Sequence, residues 1–133
     1  MDAINEGQLI DTSVWIGYFR NKSSSVAQKV DRVLEEDEVY VPKIIIAELM
    51  QGSKSIKELS IIKDFFDAFH IIDQKDDSWV KAGSLSYKLK KKGKNINLFD
   101  CYIAVIAQEY DCIIFSLNRH FKEIQSIIDV SMI

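Results

Sequence analysis

The sequence of 133 residues fits one compact domain, which we expect to span residues 1–133, and it leaves little room for a second. Its 47% of hydrophobic residues can fill a core, while five glycines and one proline exclude a collagen-like or linker-rich chain. A net charge of −3 argues against a surface coated with basic residues for DNA. Asp2 and Glu6 stand where a signal peptide would be basic or apolar, and no apolar run reaches the ~18 residues that span a bilayer. We therefore expect a cytoplasmic protein without a membrane segment.

Apolar runs and helical spacings predict alternating strands and helices in the first half of the chain. Strands are expected at residues 8–11, 39–41 and 70–72, and helices at residues 12–19, 23–36, 42–52 and 55–69. Ser23 is a favourable N-cap for the second helix. Pro42 can occupy the first turn of the third helix, where its missing N–H is harmless.

The second half continues the same alternation. Asp76 or Asp77 can cap the next helix, and the lysines of residues 88–94 are expected in a basic exit loop. Further helices are expected at residues 98–110 and 118–124, and strands at residues 112–115 and 127–130. The first of these helices is nearly all apolar and should be buried on most sides. Cys101 and Cys112 lie in apolar segments, where we expect reduced, buried thiols rather than a disulfide.

Short apolar strands that alternate with helices predict an α/β fold, a three-layer α/β/α sandwich with a central parallel sheet. Sites in such sheets form at the carboxyl ends of the strands. Asp11 ends the first strand, Asn118 follows the strand at residues 112–115, and Glu48 lies on the helix that leaves the second strand. Asp100 can join them if its helix begins near that edge.

Each of these four residues also has a purely structural interpretation. Asp11 and Asn118 can cap or turn the segments that follow them, and Asp100 can form a capping box with Asn97. Glu48 fits such an interpretation least, because apolar residues surround it on the helix and no basic residue lies at helical spacing on its own turn. A buried carboxylate of that kind needs a cation or good hydrogen-bond donors.

Several carboxylates in one pocket repel each other, and a divalent cation relieves that repulsion. A ligand set of Asp, Glu and Asn oxygens favours Mg²⁺ or Mn²⁺ over zinc. Such ions bind phosphate oxygens and activate water for phosphodiester hydrolysis. The four residues therefore predict a metal-dependent site for that reaction.

With these residues in place, the sequence resembles the PIN domain family, and within it the VapC-type toxins of bacterial and archaeal toxin–antitoxin pairs. The resemblance covers nearly the whole chain and rests on four motifs in the family's order. The motifs are Leu9-Ile10-Asp11-Thr12-Ser13-Val14-Trp15-Ile16; Val41-Pro42 through Ala47-Glu48-Leu49 to Gly52; Lys90-Lys91-Lys92-Gly93 through Leu98-Phe99-Asp100 to Ile103-Ala104 and Ala107; and Ser116-Leu117-Asn118-Arg119-His120-Phe121.

The resemblance implies a parallel sheet of about five strands and an endoribonuclease that depends on Mg²⁺ or Mn²⁺. It also implies an RNA substrate, a homodimer and a cognate antitoxin that blocks the site. The residues that it implies as catalytic and metal-binding are Asp11, Glu48, Asp100 and Asn118, with Thr12 and Ser116 as supporting polar side chains. Asn118 stands where the family commonly has Asp, and as a neutral group it is the weaker ligand.

Basic and aromatic residues outside the four motif positions have less specific interpretations. Candidates for contacts with RNA phosphates are Arg20, Lys91, Lys92, Lys94 and Arg119, although the lysines also fit a solvated helix end. We expect His70 and His120 to be structural, because a two-metal site needs no histidine base. Trp15 is expected in the core or at a subunit interface, and an apolar segment of the antitoxin is expected over the early helices, near Trp15 and Phe19.

Two other classes of protein stay open. A phosphatase of the haloacid-dehalogenase type also has an Asp at the end of its first strand, but it needs a second Asp where this chain has Ser13. A non-catalytic PIN-like module that binds RNA or protein would have a decayed acidic site. Asn118 leaves room for such decay, while Asp11, Glu48 and Asp100 argue against it.

Overall fold

The computed structural model of the protein describes residues 7–132. Asp2 and Glu6, on which the expectation of no signal peptide rests, lie outside this range. Five parallel strands form one sheet in the order β3-β2-β1-β4-β5. The strands are β1 (Gly7–Ile10), β2 (Glu38–Pro42), β3 (His70–Ile72), β4 (Cys112–Phe115) and β5 (Ser131–Met132).

Helices cover both faces of this sheet. Within the described range they are α1 (Thr12–Arg20), α2 (Ser25–Glu36), α3 (Lys43–Gln51), α4 (Ile56–Phe65), α5 (Ser78–Lys91), α6 (Leu98–Glu109) and α7 (His120–Ile124), with a 3-10 turn at Phe66–Ala68. Crossovers between parallel strands are right-handed, and the chain moves one way from β1 to β3 and back the other way to β4. Consequently α1 to α4 lie on one face and α5 and α6 on the other, which confirms the predicted three-layer fold.

The core lies on both faces of the inner strands β1 and β4. Leu9 and Ile10 of β1 and Ile114 of β4 are fully buried, and α6 buries every residue from 101 to 107. This burial agrees with the nearly all-apolar sequence of α6. The thiols of Cys101 and Cys112 are both free and buried, as expected. No helix between residues 7 and 132 is both long and apolar enough to cross a bilayer.

Three predicted helix boundaries on one face of the sheet were wrong. The N-cap of α2 is Ser24, whose side chain accepts a hydrogen bond from the backbone N of Ala27, and not Ser23. Pro42 ends β2 and stands at the N-cap position of α3 rather than within its first turn. α4 ends at Phe65, four residues earlier than predicted, where the 3-10 turn begins.

The predicted positions of the basic loop and of the edge strand were also wrong. α5 continues to Lys91, because lysine is a good helix former, and the chain leaves the helix near Gly93, whose φ is +76°. The edge strand forms at β5 rather than at residues 127–130. Ile127 and Ile128 pack against the core instead, and the chain reaches the edge of β4 only afterwards.

Candidate active site

Four polar residues come together at the carboxyl edge of the sheet. Asp11 directly follows β1, and Asn118 follows the neighbouring strand β4. Glu48 lies in the second turn of α3, which leaves β2, and Asp100 lies in the first turn of α6. Hydrogen bonds and electrostatic coupling join these residues, and we call Asp11, Glu48, Asp100 and Asn118 the acidic cluster.

The carboxylate of Asp11 is buried and is held by two hydroxyl groups. Its Oδ2 accepts hydrogen bonds from Ser13 Oγ at 3.0 Å and from Ser116 Oγ at 2.9 Å. Asp11 occupies the N-cap position of α1, yet its side chain makes no capping bond. The capping interpretation therefore does not explain this side chain, and Oδ1 is left without a hydrogen bond from the described residues.

Glu48 lies beside the apolar seam of α3, next to the buried Leu49. Burial raises the pKa of the Glu48 carboxyl, a hydrogen bond from Thr12 Oγ1 at 3.1 Å opposes the shift, and the negative charges of Asp11 and Asp100 raise it further. Three carboxyl groups from three separate elements therefore influence one another electrostatically. Such repulsion among carboxylates is what a bound cation would relieve.

Asp100 forms only half of the predicted capping box. Asn97 Oδ1 accepts a hydrogen bond from the backbone N of Asp100 at 2.8 Å, as a helix cap does. The Asp100 carboxylate points elsewhere: Oδ2 lies 3.1 Å from Asn118 Nδ2 and 3.1 Å from His120 Nδ1. The side chain is 13% exposed, so this carboxylate is nearly buried and is oriented by residues that follow β4.

Asn118 connects the loop after β4 to α6. Its Nδ2 donates to Asp100 Oδ2, and its Oδ1 accepts the backbone N–H of His120 at 3.0 Å. The backbone N of Asn118 donates in turn to Ser116 Oγ at 2.9 Å. As placed, Asn118 orients Asp100, and its own oxygen is occupied by the backbone. Its role as a metal ligand stays a prediction.

Sequence reasoning missed two polar contacts of the cluster. Ser13 Oγ donates to Asp11 and accepts the backbone N–H of Leu117, so it links α1 to the loop after β4. His120, expected to be structural, places Nδ1 beside the Asp100 carboxylate. The signal for Ser13 was its position two residues after Asp11, a spacing at which hydroxyl groups often bond locally. Nothing in the spacing of His120 pointed to Asp100.

The acidic cluster has little compensating positive charge. Among residues 7–132, the ion pair of His120 with Asp100 is the only one that involves Asp11, Glu48 or Asp100, and this histidine is charged only if protonated. In the same range, no three His, Cys, Asp or Glu side chains are arranged to hold a metal ion by themselves. Mg²⁺ commonly keeps several waters and uses one or two carboxylates together with substrate phosphates. The all-oxygen cluster fits an ion held in that way, and it does not form a closed cage.

The predicted RNA-contacting residues do not all lie together. Arg119 is exposed and stands between Asn118 and His120, at the cluster itself. Lys91 ends α5 with its Nζ 5.6 Å from the centre of the Tyr87 ring, and Lys92 and Lys94 follow in the loop to α6. Arg20 lies apart from them, in a groove between α1 and α4.

The fold agrees with comparisons to known proteins. The family model of the PIN domain matches residues 9–127, and the chain belongs to the PIN domain family. The chain is 24% identical to ribonuclease VapC1 of Haemophilus influenzae strain R2866 over 92% of both chains. It is 23% identical to the tRNA(fMet)-specific endonuclease VapC of Shigella flexneri over 87% of this chain and 90% of that one.

Solved structures share the fold over almost the whole chain. One is VapBC2 of Rickettsia felis bound to a DNA fragment from its promoter, with a TM-score of 0.79 and 21% identity over 96% of this chain and 97% of that one. Another is VapBC-1 of nontypeable Haemophilus influenzae, with a TM-score of 0.76 and 24% identity over 96% of both chains. At such identities the likeness establishes the fold alone.

Proposed function

We propose that this chain is an endoribonuclease that depends on Mg²⁺ or Mn²⁺. The observation that carries the proposal is the grouping of Asp11, Glu48 and Asp100 at the carboxyl edge of the sheet, where the only ion-pair partner among residues 7–132 is a histidine. Two similar proteins are named a ribonuclease and a tRNA-specific endonuclease, which supports RNA as the substrate and phosphodiester hydrolysis as the reaction.

Each residue of the acidic cluster would have a different role in the reaction. A bound Mg²⁺ or Mn²⁺ ion supplies positive charge for phosphate oxygens and makes water more acidic. Asp11 and Asp100 would hold the ion. The hydroxyl groups of Ser13 and Ser116 fix the Asp11 carboxylate, and Asn118 Nδ2 and His120 Nδ1 fix the Asp100 carboxylate. Glu48, whose pKa is raised by burial, would accept the proton of the attacking water. Thr12 and Asn118 would keep Glu48 and Asp100 in position.

We further propose that the chain acts as a homodimeric toxin controlled by a cognate antitoxin, since the structural neighbours are VapBC complexes. A groove of about 430 Å³ between α1 and α4, lined by Phe19 and Ile61, is the surface that an apolar segment of the antitoxin would cover. Trp15 is fully buried in the core and does not line this groove. Reduced thiols at Cys101 and Cys112 agree with action in the cytoplasm.

Cleavage of a structured RNA by the purified chain tests the nuclease proposal. Cleavage should need Mg²⁺ or Mn²⁺ and should stop in EDTA. Asp11→Asn, Glu48→Gln and Asp100→Asn should each slow cleavage by roughly 100-fold or more while the far-UV circular dichroism stays that of the parent. Asp64→Asn, which removes an exposed carboxylate of α4, is the matched control and should cleave like the parent.

Three outcomes would contradict the proposal in different ways. Cleavage that persists in EDTA would exclude the metal. A folded, metal-loaded chain that binds RNA without cleaving it would instead be a non-catalytic module. Full activity in any one of the three carboxylate variants would remove that residue from the active site.

A further inference from the structure

The side-chain amide of Asn118 has both of its polar atoms engaged within the protein. Nδ2 donates to Asp100 Oδ2 at 3.1 Å, and Oδ1 accepts the backbone N–H of His120 at 3.0 Å. The two ends of the amide cannot be exchanged. A flipped group would set its NH₂ against the His120 N–H, which can only donate, and its oxygen against a carboxylate. Asn118 therefore directs its nitrogen, and not its oxygen, toward Asp100.

Each carboxylate of the acidic cluster has one oxygen that is engaged by protein groups. These oxygens are Asp11 Oδ2, Glu48 Oε1 and Asp100 Oδ2. No hydrogen bond among residues 7–132 reaches the second oxygen of each group, which is Asp11 Oδ1, Glu48 Oε2 and Asp100 Oδ1. The cluster therefore has three free carboxylate oxygens, one on each of three separate segments of the chain.

These three oxygens suffice for one ion and leave none for a second. Mg²⁺ prefers a near-octahedral set of oxygens, keeps several waters and commonly uses one or two carboxylates. In the proposed reaction Asp11 and Asp100 hold the ion, while Glu48 accepts a proton. A second ion would need a further protein oxygen, and at Asn118 it would meet an amide whose oxygen is engaged by the backbone.

The charge of the cluster also favours a single ion. Asp11, Glu48 and Asp100 carry at most three negative charges, whereas two divalent ions would bring four positive ones. Arg119, exposed next to Asn118, adds a further positive charge at the cluster. Like charges held close together are costly unless opposite charges compensate them. One divalent ion is balanced by these carboxylates, and two would be in excess.

We propose that the acidic cluster holds one divalent ion and not two, and that Asn118 sets this number by acting as a positioning residue for Asp100. This inference rests on the proposed metal-dependent function and adds the number of ions to it. An aspartate at position 118 would supply both things that a second ion lacks, a free carboxylate oxygen and a fourth negative charge. Replacement of Asn118 therefore changes the number of bound ions and not only their affinity.

Calorimetric titration of Mn²⁺ into the metal-free chain, without RNA, counts the ions. The parent should bind one Mn²⁺ per chain, and Asn118→Asp should bind two. Asn118→Ala should still bind one, about tenfold more weakly, because Asp100 loses a group that orients it. Asn95→Asp, which adds the same charge in the exposed loop before α6, is the control and should bind Mn²⁺ like the parent. Far-UV circular dichroism should show that all variants are folded.

The dependence of RNA cleavage on Mn²⁺ extends the count to the complex with RNA. Cleavage should rise without cooperativity as Mn²⁺ is added to the parent, and cooperatively in Asn118→Asp. Two Mn²⁺ ions bound to the parent, or a cooperative rise in its cleavage, would overturn the inference. A single ion bound to Asn118→Asp, or unchanged affinity in Asn118→Ala, would overturn the role of Asn118. A parent that binds one Mn²⁺ and cleaves no RNA would refute the nuclease proposal alone.

Discussion

Folding shifts the proton equilibrium of the Glu48 carboxyl. Its pKa is raised above the ordinary value of 4.5, first by burial and then by the charges of Asp11 and Asp100. The folded chain therefore holds this proton more tightly than the unfolded chain, and stability is lost as the pH rises from the ordinary pKa through the folded one. Glu48→Gln, which has no proton to lose, should gain stability relative to the parent between about pH 4 and about pH 7 in the absence of metal.

Urea unfolding in EDTA at the two pH values measures this difference. Added Mn²⁺ should stabilise the parent more than Glu48→Gln, because an ion bound only to the folded state raises stability by mass action and relieves the repulsion of three carboxylates in the parent but of two in the variant. If the difference in unfolding free energy between the parent and Glu48→Gln does not change with pH, the Glu48 carboxyl has the same pKa in the folded and unfolded chains.

Asn118 allows a second test at the level of one residue. Its Nδ2 donates to Asp100 Oδ2 at 3.1 Å, so Asn118→Asp would place two carboxylates at hydrogen-bond distance. We expect the variant to melt at a lower temperature than the parent in EDTA and to gain more from Mn²⁺, since the ion would relieve the added repulsion. Asn95→Asp, an exposed change in the loop before α6, is the control for added charge. Equal Mn²⁺ effects in the parent and both variants would place residue 118 away from the ion.

Candidate site residues could be predicted where a carboxylate stands among apolar residues of a helix or strand. Glu48 was identifiable because a carboxylate beside an apolar helix face requires compensation, and Asp11 because it ends an apolar strand. The contact of His120 with Asp100 was not predictable. It depends on how the loop after β4 turns toward α6, and that turn is a tertiary property.

At the scale of elements, a buried polar contact joins α5 to the end of α6. Ser78 is fully buried; its Oγ donates to Glu109 Oε1 and accepts the backbone N–H of Lys75 at 2.8 Å. Ser78→Ala would leave both partners without this bond and should lower the free energy of unfolding by about 1–3 kcal/mol. Ser84→Ala, an exposed change on the same helix, should stay within about 0.5 kcal/mol of the parent. Urea unfolding measures both, and equal effects would mean that the bond contributes nothing.

Element boundaries were harder to predict than element types, for reasons that particular residues show. Ser23 and Ser24 are both good N-caps, and only the three-dimensional start of α2 selects Ser24. The lysines after Leu89 look like a loop by charge, yet helix propensity carries α5 on to Lys91. The composition around Ile127 and Ile128 predicts a strand. Their side chains instead pack against the core, and the chain pairs with β4 only afterwards.

At the scale of the molecule, the order of the strands builds the acidic cluster. Because β1 and β4 are neighbours, Asp11 and Ser116 lie within hydrogen-bond distance although 105 positions separate them. α3 reaches the same edge from one face of the sheet and α6 from the other, so Glu48 and Asp100 approach from opposite sides. The alternating pattern predicted the parallel sheet, but only the strand order brings these carboxylates together.

At the scale of the whole molecule, we expect a cognate antitoxin to use two surfaces, the acidic cluster and the groove between α1 and α4. An Arg or Lys of the antitoxin that reached the cluster would satisfy the carboxylates in place of the metal, while an apolar segment would lie in the groove. We therefore expect a bound antitoxin to lower Mn²⁺ affinity and RNA cleavage together, because the ion and the basic side chain compete for the same oxygens.

Variants of α4 test the contribution of the groove to antitoxin binding separately from that of the acidic cluster. Ile61→Asp, in the groove, should weaken antitoxin binding by about tenfold or more and leave the Mn²⁺ affinity of the free chain unchanged, because the groove lies apart from the carboxylates. Ile56→Asp, on the same helix and outside the groove, should bind the antitoxin like the parent. Isothermal titration of Mn²⁺ into the free chains and into their complexes with the antitoxin measures each quantity. A complex that binds Mn²⁺ as tightly as the free chain would show that the antitoxin inhibits cleavage without entering the acidic cluster.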